Sequence, residues 1–360
     1  MKFNLALIGF GGVNQGLVEV LQQKRERLAV QYGLEINIVA ITDMRIGMVW
    51  DPVGLDLDAL LALPNNGYSN AVFSRSGSLE MRTAVSLEET LKLLSSEFID
   101  VVVEATYTDP NTGEPALSHC STALSHGKHV ITTNKGPIAL AGNSLQMLAH
   151  ENSCFLKYEG AVMSGTPVLR QLSNALRGCE IDGFSGILNG TSNFVLGRVE
   201  SGATFGDAIR EAQHLGYAEA DPTADVEGHD VQLKVTILAN ALWNGKLHPR
   251  DIPCRGISAL SEAEVKRAAE QGAAWKLLGQ ARRKPDGSVE ASVAPQLLPA
   301  GHPLLAASGV TNAITFDTDL LGLVTICGPG AGRIETAFAI LSDLIELNEQ
   351  VQGTLHMEAV

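Results

Sequence analysis

Leu5-Ala6-Leu7-Ile8-Gly9-Phe10-Gly11-Gly12-Val13-Asn14-Gln15-Gly16 opens the chain as an apolar run that ends in glycines. Leu17, Val18, Val20 and Leu21 follow at helical spacing. Strand, glycine turn and helix in that order form a dinucleotide-binding fingerprint, in which the missing side chains let the backbone approach a pyrophosphate at the helix N-terminus. Gly9, Phe10, Gly11, Gly12 and Val13 are therefore the candidate cofactor loop. The third fingerprint position is Asn14 instead of glycine, a departure that asparagine's tolerance of unusual backbone angles softens. Tight-turn packing alone would also account for the glycines. Met1-Lys2 and the apolar run resemble the start of a secretion leader, but no Ala-x-Ala cleavage site follows, so the run reads as a first strand.

Working outward, a second strand over Ile36 to Ile41 ends at Thr42-Asp43. An acid there is placed for the ribose 2′-hydroxyl of NAD, whereas Arg45 suits the 2′-phosphate of NADP, and both cofactors stay open. Residues 44 to 82, with Pro52, Pro64, Asn65-Asn66-Gly67 and Gly77, read as an irregular excursion from the sheet. The apolar run from Ile99 to Thr106 has the character of a buried parallel strand. A helix from Glu114 to His126 and a strand from Lys128 to Thr133 come next, then Asn134-Lys135-Gly136-Pro137. In a doubly wound sheet the carboxyl ends of the strands face the ligand, which puts Thr106 and Lys135 on the side of the glycine loop. A surface turn would equally suit Lys135. A helix from Ser144 to His150, a strand from Cys154 to Glu159 and a helix from Val168 to Leu176 complete the first half.

The second half changes character. A strand from Phe184 to Leu188 turns at Asn189-Gly190 into a helix, and Thr204-Phe205-Gly206-Asp207 starts another that ends at Leu215-Gly216. Gly216-Tyr217-Ala218-Glu219-Ala220-Asp221-Pro222-Thr223-Ala224-Asp225 then packs three acids into a turn. From Asp230 to Trp243 the apolar stripe Val231, Val235, Leu238, Leu242 predicts a helix. Lys234 lies one turn beyond Asp230 and amid that stripe, so the lysine is either at its edge or partly buried. A buried ammonium must be paired, and burial favours its neutral form, which suits proton exchange near neutral pH. A plain surface i,i+4 ion pair is the competing reading. Ser292 to Pro295 and Ala313 to Thr318 look like strands, and Gly328-Pro329-Gly330-Ala331-Gly332 leads into a last helix from Glu335 to Leu347.

At 360 residues, 45% hydrophobic and 18% charged, the chain has material for two globular domains. A net charge of −14 argues against nucleic acid and anionic membranes as partners. Five scattered cysteines with no CxxC spacing suggest reduced thiols in a cytoplasm, with no zinc site, and no apolar run is long enough for a membrane span.

Taken together, Thr132-Thr133-Asn134-Lys135-Gly136, Glu159-Gly160-Ala161-Val162 with Gly165-Thr166-Pro167, Asn189-Gly190-Thr191-Ser192-Asn193, Gly216-Tyr217-Ala218-Glu219-Ala220-Asp221-Pro222, and Asp225, Asp230 and Lys234 in their spacing resemble homoserine dehydrogenases, as does Gly328-Pro329-Gly330-Ala331-Gly332. The resemblance runs along essentially the whole chain. It implies NAD(P)-dependent interconversion of L-homoserine and L-aspartate 4-semialdehyde, on the way to threonine, methionine and isoleucine. It implies Lys234 as proton donor and acceptor at the substrate's C4 oxygen, with Lys135 as a second cation. Glu219 and Asp230 would hold the substrate's ammonium and hydroxyl, Asp225 would shape the same pocket, and Gly216 and Gly330 would join the cofactor site. A sodium ion on backbone oxygens of Glu159, Val162, Ser164 and Thr166 is implied as well, where a plain interdomain hinge would also serve. The implied architecture is α/β: a doubly wound, Rossmann-type domain over residues 1–156, rejoined by 330–360, with an inserted α+β domain over 157–329 for substrate and for homodimer formation. The regulatory domain and the fused kinase of some relatives are expected to be absent. Another two-domain amino-acid dehydrogenase and a non-catalytic dinucleotide sensor are the alternatives. The acids favour an amino-acid substrate, and the acid–lysine set argues against a sensor.

Overall fold

The structure is a computed structural model, which describes residues 1–45, 47–62, 80–82 and 85–358. Two compact units emerge: Met1–Ala161 with Gly332–Val360, and Val162–Ala331. The first holds β1 (Lys2–Ile8), α1 (Gly12–Tyr32), β2 (Glu35–Asp43), β3 (Gly47–Trp50), α2 (Leu57–Leu61), β4 (Glu80–Arg82), α3 (Leu87–Leu94), β5 (Val101–Glu104), α4 (Ala116–Ser125), β6 (His129–Thr132), α5 (Lys135–Glu151) and β7 (Leu156–Lys157), with α11 (Arg333–Glu358) returning from the far end of the chain. The second holds β8 (Ile181–Ile187), α6 (Gly190–Glu200), α7 (Phe205–His214), α8 (Thr223–Val226), α9 (His229–Trp243), α10 (Glu262–Glu270), β9 (Ala274–Arg283), β10 (Val289–Leu298), β11 (Thr311–Thr318) and β12 (Gly322–Pro329).

In the first unit the strand order is β4-β3-β2-β1-β5-β6-β7. Its centre is parallel, as expected of strands that are apolar on both faces: Val101, Val102 and Val103 are all fully buried. Phe3, Leu5 and Leu7 of β1, with Val101 and Val103 of β5, share one core with Leu17, Val18 and Leu21 of α1 and Ala337, Ile340 and Leu344 of α11. The helices α4 and α5 pack on β5, β6 and β7. The expected excursion over residues 44 to 82 is corrected in part. β3 pairs antiparallel with β2, and β4 with β3, so the sheet continues at that edge. Gly47, at φ 91°, makes the reversal possible so soon after Asp43. Pro64, Asn65-Asn66-Gly67 and Gly77 lie outside the described residues.

The second unit is a five-stranded antiparallel sheet in the order β10-β9-β8-β11-β12. Only part of it was expected: β9 and β12 were missed, and β10 is longer than the predicted Ser292 to Pro295. The helix α9 lies directly on β9 because the strand carries Gly279 at the crossing. A methyl there would sit 2.5 Å from Val235 and 2.7 Å from Val231. The far end of α9 is held by Trp243, whose indole N–H donates to the Ile181 carbonyl at 3.0 Å and whose ring stacks on Phe184.

Candidate active site

The glycine loop leaves β1 through Gly9, at φ 79°, where a Cβ would meet the Ala105 carbonyl oxygen at 2.6 Å. Only glycine fits that approach of β1 to the end of β5. Gly11 starts α1 without a side-chain cap, a Cβ on it would meet nothing within 4 Å, and the first turn contains no acid. The leading amides of α1 are thus left for an external anion, as a dinucleotide pyrophosphate requires. Asn14, the departure from the fingerprint, is fully buried, and its Nδ2 donates to the Gly9 carbonyl at 2.6 Å. The side chain ties the loop down from beneath, so the position closes the turn by a hydrogen bond where glycine would close it by close packing.

Asp43 ends β2 with one carboxylate oxygen accepting the Phe10 N–H at 2.9 Å and the other accepting the Arg45 N–H at 2.9 Å. Burial pushes the Asp43 carboxyl up, but those two amides and the Arg45 guanidinium, 3.3 Å away, outweigh it and leave the carboxyl below its ordinary value. Arg45 itself is 73% exposed at its side chain. Thr106 follows β5, where its N–H donates to Glu104 Oε1 at 3.1 Å. Lys135 is the first residue of α5, half-buried, and not a free-standing turn lysine; the helix begins there and not at the expected Ser144.

Glu104 was not singled out from the sequence. It is completely buried at the carboxyl end of β5 and accepts hydrogen bonds from the Thr106 hydroxyl, the Thr132 hydroxyl at 3.3 Å and the Asn134 amide. His119 Nδ1 lies 3.4 Å away. One carboxylate thus fastens the segments that carry Thr106 and Lys135.

In the second unit Lys234 is 6% exposed, between Val231, Val235 and Leu238 on the inward face of α9. The surface ion pair is ruled out: its Nζ contacts Asp230 Oδ2 at 2.7 Å and donates to the Leu188 carbonyl at 2.6 Å. Asp230 and Asp225 both accept from Asn189 Nδ2, at 3.0 and 2.6 Å. Burial and then the neighbouring Asp230 charge hold the Asp225 carboxyl above its ordinary value, against the opposing pull of Asn189, Lys234 and Thr191. The structure therefore brings Lys234, Asp230 and Asp225 together around the β8–α6 corner. It leaves Glu219 exposed on the loop after α7, where its backbone carbonyl accepts from Gln213 at 3.1 Å. Thr191 anchors that loop through the Tyr217 carbonyl at 2.7 Å. Asn189 and the Leu188 carbonyl carried no assigned role in the sequence, although the Asn-Gly turn was visible there.

Gly216 follows α7 at φ 74° and is open on its outer side. Gly330 lies against the buried Asn312, whose amide a Cβ on Gly330 would meet at 2.1 Å. Glu159 is buried, and its N–H donates to Asp343 at 3.1 Å. Val162, Ser164 and Thr166 are buried in the turn that follows, and the Thr166 hydroxyl donates to the Pro329 carbonyl at 2.8 Å. Among the described residues no group of three or more His, Cys, Asp or Glu side chains is arranged to hold a metal ion, and no helix is long and apolar enough to cross a membrane.

Comparison with known proteins covers nearly the whole chain. Residues 9–159 match the family model "Homoserine dehydrogenase, NAD binding domain", and residues 167–345 match "Homoserine dehydrogenase". The chain is similar to an NAD(+)-dependent homoserine dehydrogenase of Pseudomonas canavaninivorans, 50% identical over 97% of each protein, and to the homoserine dehydrogenase of Methanocaldococcus jannaschii, 36% identical over 96% of this chain and 98% of that one. Among solved structures it resembles a homoserine dehydrogenase of Thiobacillus denitrificans, with TM-score 0.82 and 31% identity over 98% of this chain and 74% of that one. It also resembles a hyperthermophilic archaeal homoserine dehydrogenase in complex with NADPH, with TM-score 0.79 and 30% identity over 97% and 98%. With both halves of the sequence matched and the Pseudomonas and Methanocaldococcus relatives aligned almost from end to end, the chain belongs to the homoserine dehydrogenase family.

Proposed function

We propose that this NAD(P)-dependent oxidoreductase, which interconverts L-homoserine and L-aspartate 4-semialdehyde, moves the C4-oxygen proton through Lys234. The observation that carries the reading is the buried Lys234 ammonium, paired with Asp230 at 2.7 Å. When bound, the nicotinamide takes up or gives the hydride at C4. In the reducing direction Lys234 stabilises the negative charge that grows on the aldehyde oxygen and then protonates it; in the oxidising direction it receives the hydroxyl proton. Asp230 orients the amine, and Asp225 adds a second negative charge for the substrate's ammonium, with Glu219 reaching the same group from its loop. Lys135 supplies the further cation. The amides of Gly11, Gly12 and Val13, the Gly9-Phe10 turn, Thr106, Gly216 and Gly330 would hold the dinucleotide.

NAD is the preferred cofactor in this reading. Asp43, held ionised, bonds a ribose 2′-hydroxyl but repels a 2′-phosphate, and Arg45 is engaged by the same carboxylate. The NAD(+)-dependent relative supports this, while the NADPH complex of the archaeal relative belongs to that enzyme. The alternatives, another amino-acid dehydrogenase or a silent sensor, are not favoured.

Three further features belong to the proposal. A second copy of the chain would cover the apolar side chains left open at the β11–β12 turn and edge, Leu320, Leu321 and Leu323, which light scattering would show as a dimer. A sodium ion would use backbone oxygens of Val162, Ser164 and Thr166, and of Glu159 by resemblance. Its support is the left-handed backbone of Met163 and Ser164, each at φ 53°. Sodium chloride should then raise the melting temperature more than choline chloride does. Five free thiols fit a cytoplasmic location.

The main test is purified protein with L-homoserine and either cofactor, followed by absorbance of the reduced nicotinamide. Turnover with NAD⁺ should exceed that with NADP⁺. Lys234→Ala should lose kcat by about two to four orders of magnitude with dinucleotide affinity unchanged. A variant with wild-type kcat would remove Lys234 from the chemistry.

A further inference from the structure

We propose that Asn189 is the positioning residue of this site: its carboxamide ties Asp225 and Asp230 to one point on the β8–α6 corner and so presents Asp230 to Lys234. The inference rests on the reading of Lys234 above. Asn189 is 5% exposed and occupies the N-cap of α6. Its Oδ1 accepts the Ser192 N–H at 2.8 Å, while its Nδ2 donates to Asp225 Oδ1 at 2.6 Å and to Asp230 Oδ2 at 3.0 Å. The amide can face only one way, because the helix amide demands an acceptor and the two carboxylates demand a donor. The residue before it supplies the Leu188 carbonyl that takes Lys234 Nζ at 2.6 Å. Two consecutive residues of one corner therefore hold all three charged side chains, which come from α8 and α9.

No other residue type does both jobs. Serine or aspartate would cap α6 equally well. Serine, however, is too short to bridge the acids, and aspartate would add a third carboxylate to two that already repel each other. Glutamine would move the amide outward by a methylene. Without the bridge, the pull of Lys234 and Thr191 is left to oppose the repulsion between Asp225 and Asp230, and Asp230 loses the hydrogen bond that fixes its approach to Lys234. The charged groups that face Asp225 are Asp230 and Lys234 from α9, with the polar side chains of Asn189 and Thr191 from α6.

The decisive variant is Asn189→Ser, which keeps a helix-capping oxygen and removes the bridging carboxamide, beside Lys234→Ala and the isosteric Asn189→Asp. For Asn189→Ser we expect kcat for homoserine oxidation to fall about 10- to 100-fold, the scale of a misplaced catalytic group. The KM for NAD⁺ should stay at its wild-type value, and the melting temperature should fall by only a few degrees. The acid limb of the kcat/KM profile should move to higher pH, because a hydrogen bond that favours ionised Asp225 is gone. Asn189→Asp should lose more activity than Asn189→Ser. Wild-type kcat and pH profile in Asn189→Ser, with Lys234→Ala inactive, would overturn this inference alone. A fully active Lys234→Ala would overturn the parent reading, and this one with it. If both Asn189 variants lose stability and NAD⁺ affinity in proportion to kcat, the residue holds only the fold and the proposal fails.

Discussion

At the scale of single residues, Asp225 shows a conflict between stability and chemistry. Burial and the charge of Asp230 raise its carboxyl above the ordinary value, so the native state holds the proton more tightly than the unfolded chain does. Stability therefore falls as pH rises from the ordinary carboxylate value through the raised one, and above that window the ionised group is a standing cost. Asp225→Asn removes that cost and keeps an oxygen to accept from Asn189. At pH 7.5 the variant should melt about 2 °C above wild type, with the gap closing under acid conditions, while homoserine turnover drops. Melting curves at the two pH values, set beside kcat, check this; a variant less stable at neutral pH would show that the charge is fully compensated. Lys234 shows a related limit of sequence reading. Its place in an apolar stripe was visible, but burial and a surface ion pair were equally compatible with the spacing. What decides is the packing of α9 on Gly279 of β9, a contact between residues far apart in the chain.

At the scale of elements, the same distance between sequence and contact explains Glu104. Inside the apolar run from Ile99 to Thr106 it carried no assigned role, and only the pairing of β5 with β6 brings Thr132 and Asn134 to it. Glu104→Gln turns one buried acceptor into a donor facing other donors, which costs about 1–3 kcal/mol at a site of this kind. Because the strained contacts carry Thr106 and Lys135, NADH affinity should fall about tenfold, the equivalent of 1.4 kcal/mol, in a fluorescence titration. Unchanged affinity would mean that the carboxylate serves only the core. Local signals made other elements legible: the glycine turn, the apolar β5 run, the stripe of α9 and the capping threonine of α7, whose hydroxyl accepts the Asp207 N–H at 3.1 Å. The hairpin β9–β10 was less legible because its alternation is interrupted. Gly279 yields to α9, Pro295 interrupts β10, and the buried Lys276 is polar but paired with Glu200 at 3.5 Å. Of the site, the acids and Lys234 could be read as types in a spacing; the corner that holds them could not, since an Asn-Gly turn looks the same whether its amide faces solvent or two carboxylates.

At the scale of the whole molecule, the chain leaves the nucleotide unit after Ala161 and returns to it at Gly332, so that unit is completed only by residues made after the inserted one. The returning helix α11 is no appendage. Ala337, Ile340, Leu341, Leu344 and Leu347 are buried in one core with α1 and the sheet, and Asn348 donates to the Tyr32 carbonyl at 3.0 Å. At about 1.5–3 kcal/mol for each large apolar side chain, losing that helix removes on the order of 10 kcal/mol, as much as the whole stability of a typical domain. A chain ended after Ala331 should therefore fail to bind NADH, and its nucleotide unit should be cut rapidly by protease. The inserted unit, Val162–Ala331, holds its own core around Ile187, Leu278 and Ala313 and should survive as the protected fragment. Limited proteolysis with mass identification of the fragments separates the cases. A truncated chain that stays protected throughout and binds NADH like wild type would mean that α11 only covers a unit already complete without it.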